Sequence, residues 1–315
     1  LLYGAMTGRI SIGMFLAFFQ TTLTIVDTIN SLLETFGNFS REIQELSYLS
    51  AFFRLENMPV QKGCLDKPVR RIRFEHVCFT YPCSEKEVLH DINFELDVSQ
   101  STAVVGENGS GKTTIIKLLC GLYQPTSGRI LFDDCDLKNL SSSEIGKVIK
   151  VVFQDFFQYE MTIRENIGFG NLDRIFHDME LQNVLDAVHL KELKRLGLDT
   201  PLGKLEPAGI DLSRGQWQRL AVSRIFLNDT GFAVLDEPTA SVDSVSEYNM
   251  YRLFYSLLKS RGSLMISHRL ASAKMADHIL VLKNGTIAEQ GNHTELMKKQ
   301  GFYYKLFCKQ AEWYQ

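Results

Sequence analysis

The sequence predicts an α/β fold preceded by one long apolar helix, and three observations carry that expectation. First, the apolar run Ser101-Thr102-Ala103-Val104-Val105 passes through the glycine-rich stretch Gly106-Glu107-Asn108-Gly109-Ser110-Gly111-Lys112-Thr113-Thr114 into Ile115-Ile116-Lys117-Leu118-Leu119, the order strand, loop, helix. Second, other short apolar runs end in polar residues where helical patterns begin: 148–153 ends at Gln154, 231–235 at Asp236 and Glu237, and 263–267 at His268. Ligands of open α/β sheets bind beyond the carboxyl ends of the strands, so Gly106, Gln154, Asp236 and His268 are expected to converge on one edge. Third, residues 10–26 carry no charge, the short end of what spans a bilayer.

The helical pattern of the first segment runs on through Asp27, Glu34 and Arg41 to about Asn57, broken only by Gly37. Such a helix would measure roughly 65–70 Å, longer than a membrane is thick. Only Arg9 precedes the apolar run, whereas Arg41, Arg54, Lys62, Lys67, Arg70, Arg71 and Arg73 follow it. The positive-inside rule then puts its C-terminal end in the cytoplasm. Asp27 and the neighbouring threonines and glutamine indicate a face turned to a polar cavity. The competing reading is an amphipathic dimerisation helix of a soluble protein. The expected division is a membrane segment at 1–57 (last span about 10–34, with a cytosolic extension to 57), a proline-bearing linker at 58–71, and a globular domain at 72–315. The chain opens on Leu1-Leu2 and reads as the C-terminal fragment of something longer.

Bulk properties set limits. The 315 residues suffice for one large domain or two modest ones. A net charge of −3 gives no reason to expect nucleic acid as a partner. Cys64, Cys78, Cys83, Cys120, Cys135 and Cys308 form no C-x-x-C pair and do not cluster with histidine, so neither zinc nor a disulfide framework is expected.

Within the globular part, 72–80 alternates as a half-buried strand and 88–97 as its partner. The helix after the glycine loop should reach about Leu122. A short strand at 128–134, a short helix at 142–147 and a β-prone run at 148–153 follow. Thr162 is placed to cap a helix, and 181–190 has helical spacing. The stretch Asp211-Leu212-Ser213-Arg214-Gly215-Gln216-Trp217-Gln218-Arg219 leads to a helix at 220–226, and another helix is expected at 246–258. A hairpin turns about Lys283-Asn284, and a last helix starts near Thr294.

The glycine loop fits G-x-x-x-x-G-K-[ST]. Gly106, Gly109 and Gly111 can take positive φ and close the backbone around an anion. The N–H groups of Glu107, Asn108, Ser110 and their neighbours, with the helix N-terminus behind them, would then face phosphates. Lys112 supplies a point charge for the β- and γ-phosphates, and Thr113 is the expected Mg²⁺ ligand, with Thr114 beside it.

Together with Leu212-Ser213-Arg214-Gly215-Gln216, which looks like the LSGGQ signature, these residues resemble the nucleotide-binding domain of ABC transporters over about 70–312. The resemblance implies a mixed sheet core, an antiparallel β subdomain and a helical signature subdomain, with ATP and Mg²⁺ as ligands. It implies that Asp236 holds Mg²⁺, that Glu237 is the general base, and that Gln154 touches Mg²⁺ or the attacking water. It further implies that His268 contacts the γ-phosphate and that Tyr81 stacks on adenine. Ser213 and Gly215 would cap the nucleotide of a second subunit, with Asp243 near that partner's phosphate loop, in a head-to-tail homodimer or heterodimer.

Residues 1–57 resemble the end of an exporter's membrane domain, so the family likeness implies a multi-pass cell-membrane protein with its ATP-binding domain on the cytoplasmic side, exporting a substrate. Phe153-Gln154-Asp155-Phe156-Phe157, Thr162-Ile163-Arg164-Glu165-Asn166-Ile167 and Ser267-His268-Arg269-Leu270 look exporter-like too, and their similarity to stretches of bacterial peptide and lantibiotic exporters implies peptide cargo. Two departures stand out. Arg214 replaces a glycine of the signature, and Leu205-Glu206-Pro207-Ala208-Gly209 replaces the usual glycine-glutamate-x-glycine pattern. Two rival readings are a soluble ABC ATPase of DNA repair or translation, against which the apolar run and net charge speak, and a module that dimerises on ATP with little hydrolysis.

Overall fold

The computed structural model describes residues 11–54, 65, 67–227, 231–237, 244–258, 261–267 and 270–312. The chain divides into two units, Leu1–Val60 and Gln61–Gln315.

The first unit is helix α1, Ile12–Phe53, entered through Ser11, whose hydroxyl accepts the Met14 N–H. Gly37, expected to interrupt it, does not. A lone glycine costs a helix only about 1 kcal/mol against alanine, and the flanking turns outweigh that. Thr21, Thr22, Thr24, Thr28 and Thr35 donate their hydroxyls to the carbonyls one turn back at 2.7–3.0 Å. By length and composition this helix can cross a membrane.

The second unit opens on β1 (Arg71–Thr80) and β2 (Glu87–Asp97), an antiparallel pair. Then come β3 (Ser101–Gly106), α2 (Lys112–Leu119), β4 (Ser127–Phe132), β5 (Cys135–Asp136), α3 (Ser142–Val148) and β6 (Ile149–Val152). The helical stretch holds α4 (Ile163–Gly168), α5 (Asp178–Ala187), α6 (Lys191–Leu196) and α7 (Arg214–Phe226). The chain finishes with β7 (Phe232–Asp236), α8 (Ser244–Leu258), β8 (Ser263–Ile266), α9 (Leu270–Ala273), β9 (His278–Lys283), β10 (Thr286–Gly291), α10 (His293–Lys299) and α11 (Phe302–Glu312).

Two sheets result. One is antiparallel, in the order β2-β1-β4-β5; the other runs β10-β9-β3-β8-β7-β6, parallel except for the β9–β10 hairpin. The parallel strands read as continuous apolar runs because both faces are covered. In β3, Val104 packs with Ile115, Ile116 and Leu118 of α2, while Ala103 and Val105 face Leu270, Leu296 and Tyr303. In β7, Phe232 and Val234 join the first cluster, while Ala233 and Leu235 meet Val222 and Ile225 of α7. Helix α7 is buried on two sides, since its Trp217 and Leu220 pack among Ile163, Leu181 and Leu185 of the helical layer. It therefore joins that layer to the sheet.

Several boundaries differ from expectation. Helix α2 stops at Leu119 because Gly121 takes φ +68 just beyond it, a left-handed stop that spacing alone does not announce. The 181–190 pattern is the end of α5 and a turn, with His189 at φ +57. The last helix is two, parted at Gln300 (φ +49), where the Glu289 carboxylate accepts the N–H groups of Phe302 and Tyr303 and restarts the helix. Helix α7 begins at Arg214, six residues before the expected Leu220, because Ser213 caps it. Cys135 is disulfide-bonded, with its partner outside the described residues, while Cys78, Cys83, Cys120 and Cys308 are free. That single bond was not expected from the cysteine spacing, because pairing follows spatial approach of Cα atoms, not spacing along the chain.

Gly128 shows how tightly the antiparallel sheet is locked. Its φ is +79, and a Cβ there would lie 2.2 Å from the His76 carbonyl oxygen, where β1 is irregular between Phe74 and Val77. Gly128→Ala should destabilise the domain by more than about 1 kcal/mol, read as a lowered denaturation midpoint at unchanged m-value.

Candidate functional site

The parallel strands β3, β6, β7 and β8 end on one edge of the larger sheet, and the glycine loop leaves that edge from β3. Gly111 is the N-cap of α2, with φ +104 and no side-chain cap. That backbone conformation is one side-chain-bearing residues rarely adopt, and a Cβ there would also stand 2.5 Å from a Leu89 methyl.

Lys112 is 5 % exposed and its ammonium donates to the carbonyls of Gly106 at 3.1 Å and Glu107 at 2.9 Å. Burial pulls its pKa below the usual lysine range, and the negative charges of Glu237 and Asp236 oppose that shift. Ser110 is buried and its hydroxyl finds no hydrogen-bond partner among the described residues. An orphaned hydroxyl inside a loop of N–H groups suits an incoming phosphate oxygen. Thr113 lies across from Asp236, with its hydroxyl 3.4 Å from the carboxylate. A hydroxyl and a buried carboxylate at one point are oxygen donors of the type Mg²⁺ takes.

Asp236 is 1 % exposed at the last position of β7. Glu237 follows it at φ +45, half-buried, donating its N–H to the Ile266 carbonyl at 3.2 Å. A non-glycine residue in the left-handed region at a strand end is a strained conformation of the sort found at working sites.

Gln154 lies two residues beyond β6 and lines a cleft of about 530 Å³ with Asp155, Phe157, Asp211, Arg214 and Trp217. Tyr81 is pinned to α2: its hydroxyl is 3.0 Å from that of Thr114, and the Lys117 ammonium stands 5.3 Å over its ring. Phe79 and Tyr123 meet the ring edge-on. Lys117 and Tyr123 were not singled out in the sequence. The signal available was the helical spacing that carries Lys117 onto the Thr114 face of α2.

The signature is organised by its own cap. Ser213 accepts the Gln216 N–H, and Gln216 accepts that of Ser213 at 2.8 Å, a capping box. Gln216 also donates to Glu192 at 3.1 Å, a tie to α6 with no sequence signal. Leu212 is buried in the helical cluster, Gly215 has open space around it, and exposed Arg214 is among the residues lining the Gln154 cleft. Near Glu206, the Glu160 carboxylate accepts the N–H groups of Lys204 and Leu205, both at 2.9 Å. His268 and Asp243 lie outside the described residues. So the described residues bring Gly106, Lys112, Thr113, Asp236 and Glu237 together, with Gln154 just past the neighbouring strand.

Known proteins resemble this chain. The ABC transporter family model matches residues 89–240. The subtilin transport ATP-binding protein SpaT of Bacillus subtilis is 34% identical over 307 residues, 96% of this chain and 50% of its own length. The nisin transport ATP-binding protein NisT of Lactococcus lactis subsp. lactis is 38% identical over 239 residues, 75% of this chain and 40% of its own. An ATP-dependent lipid A-core flippase of Nitrosococcus oceani is 35% identical over 311 residues, 96% of this chain and 51% of its own. A bacterial Atm1-family ABC exporter solved with ATP bound superposes with a TM-score of 0.73 at 29% identity, over 85% of this chain and 47% of that one. The chain thus spans about half the length of the curated relatives it matches. Residues 89–240 thus match the ABC transporter family, and the chain over most of its length is similar to ATP-binding proteins and exporters of that family.

Proposed function

We propose that this chain is the ATP-hydrolysing end of a multi-pass membrane exporter that works as a dimer. The observation that carries the reading is the meeting of Thr113 and Asp236, residues far apart in sequence, at 3.4 Å beside buried Lys112. Phosphates would be held by the N–H groups of the loop, the Ser110 hydroxyl and the Lys112 ammonium. Tyr81 would give its ring to adenine. Thr113, Asp236 and Gln154 would hold Mg²⁺, which when bound neutralises phosphate charge. Glu237 would take the proton of the attacking water, oriented with help from His268.

Ser213 and Gly215 sit at the N-terminus of α7, a second anion-attracting helix end. They would close over the nucleotide of the other subunit, and Asp243 would lie near that subunit's loop. Two half-sites, each incomplete alone, make ATP a closing ligand, and hydrolysis reopens the pair. In the membrane, α1 would be a span whose C-terminal end is cytoplasmic.

Peptide cargo is favoured by the likeness to the subtilin and nisin transport proteins; lipid cargo is the second reading, favoured by the likeness to the flippase. The full-length protein in lipid vesicles should release phosphate from Mg-ATP, with chelation of the metal stopping release. Absence of release in lipid, with ATP still bound, would favour the dimerisation module instead.

A further inference from the structure

Of the six cysteines, Cys78, Cys83, Cys120 and Cys308 are free and Cys135 is disulfide-bonded. Cys64 alone is left as a partner within the chain. Leu65, the next residue, lines one cleft with Cys135. Consecutive Cα atoms are about 3.8 Å apart, so connectivity keeps position 64 near that cleft.

The Cys135 end is firmly held. The residue is 7 % exposed in β5 and pairs with Phe132 of β4. The turn between them grips the approach to β1. The Asp133 carboxylate accepts the N–H groups of Arg70 at 3.2 Å and Arg71 at 2.9 Å, and the Asp133 N–H donates to the Arg71 carbonyl at 2.8 Å. A bond from Cys64 to Cys135 adds a covalent tie a few residues upstream of these hydrogen bonds.

Two features favour a labile bond over a permanent staple. Lys67, Arg70, Arg71 and Arg73 line the same cleft as Cys135. Arg71 pairs with Glu95 and Arg73 with Asp134, whereas exposed Lys67 and Arg70 form no ion pair among the described residues. Positive charge beside a sulfur favours the thiolate and speeds thiol–disulfide exchange. Burial instead pushes the Cys120 thiol up to about 12, which leaves it a poor competitor. The second feature is the compartment. On the cytoplasmic side of a membrane lasting disulfides are rare, and those that form are usually catalytic or redox-sensing.

Building on the exporter reading above, we propose that Cys64 and Cys135 form a reversible redox latch that fastens the linker to the β4–β5 turn and slows ATP turnover when closed. A thiolate of a dithiol reductant opens it by attacking one sulfur, which breaks the S–S bond and leaves a mixed disulfide. The second thiol of the reductant then displaces the chain sulfur. Two electrons and two protons pass to the latch, leaving two cysteine thiols, and the reductant becomes a cyclic disulfide. Exchange with an oxidised disulfide reagent runs the steps backwards and closes it. Closure shortens the tether between α1 and the ATP-binding domain. At full extension residues 55–63 reach roughly 30 Å, and residues 55–68 roughly 50 Å. A shorter tether limits the travel by which two half-sites close and part.

The test uses the full-length protein in lipid vesicles, equilibrated in glutathione buffers of varied reduced-to-oxidised ratio. Free thiols are alkylated, and the digest is read by mass spectrometry without further reduction. A peptide pair joined through Cys64 and Cys135 should appear in the oxidised buffers and vanish in the reduced ones. Phosphate release from Mg-ATP should rise several-fold as it vanishes. Cys64→Ser and Cys135→Ser should each release phosphate at the reduced wild-type rate in every buffer, and misfolding of one leaves the other as the control. Absence of the joined pair in oxidised buffers overturns the latch, as does equal release in all buffers or a serine variant that still responds. A joined pair that survives the most reducing buffer is a permanent staple and overturns it too. If release is absent in every buffer, the exporter reading fails separately. The joined pair then decides the bond alone: reversible appearance supports the latch, and its absence sinks it.

Discussion

Glu237→Gln is expected to stop phosphate release while leaving ATP binding near its wild-type level. Glutamine keeps the volume, the strand-end position and the N–H bond to Ile266. It cannot accept a proton at neutral pH. Loss of a general base lowers kcat by about 10²–10⁴-fold. The change leaves Lys112, Ser110 and Thr113 in place, so nucleotide affinity is expected to hold. Phosphate release and binding of a fluorescent ATP analogue, measured on the same preparation, separate the two. A variant that turns over at the wild-type rate removes Glu237 from the role of base. The left-handed backbone at this residue adds a second expectation: the side chain is aimed by a conformation the strand end enforces, so function there depends on position as well as on charge.

Lys112→Ala acts on the step before. The ammonium is buried and tied to two carbonyls of its own loop. Its removal deletes the positive charge proposed to face the phosphates and leaves both carbonyls of the loop without that donor. Hydrogen bonds to charged groups contribute about 1.5–3 kcal/mol each, so ATP affinity should fall by about 10- to 100-fold. Equilibrium binding is the measurement, with thermal unfolding as the check that the domain is intact. Unchanged affinity would contradict the phosphate role. The two variants are expected to split cleanly, one losing turnover at retained affinity and the other losing affinity.

Much of the site was legible because it is local. The glycine loop, with its lysine and threonine at fixed offsets, encodes a strand-to-helix turn within nine residues, from Gly106 to Thr114. The signature encodes its own helix start through Ser213 and Gln216, although the reading of 211–219 placed that helix six residues late. Apolar runs ending in Gln154 and Asp236 announced a common edge because parallel strands buried on both faces tolerate polar residues only at their ends.

What was not legible depends on distance. Nothing in the spacing of Tyr81, Lys117 and Tyr123 says that they form one cluster on α2. Nothing in Gln216 says that it reaches Glu192 on another helix, and nothing in Cys135 says that it is bonded. Left-handed stops at Gly121 and Gln300 likewise depend on what the chain does next.

The sequence by itself determined the phosphate loop, the capped helices, the strand runs and the long helix, since each is written in residues that neighbour one another along the chain. Only the tertiary structure decided that Arg214 and Gln154 line one cleft and that the Thr113 hydroxyl meets Asp236. Those outcomes rest on the parallel pairing of β3 with β8, of β8 with β7 and of β7 with β6. Strand order and register come from packing both sheet faces at once, a property of the whole chain that no single stretch contains.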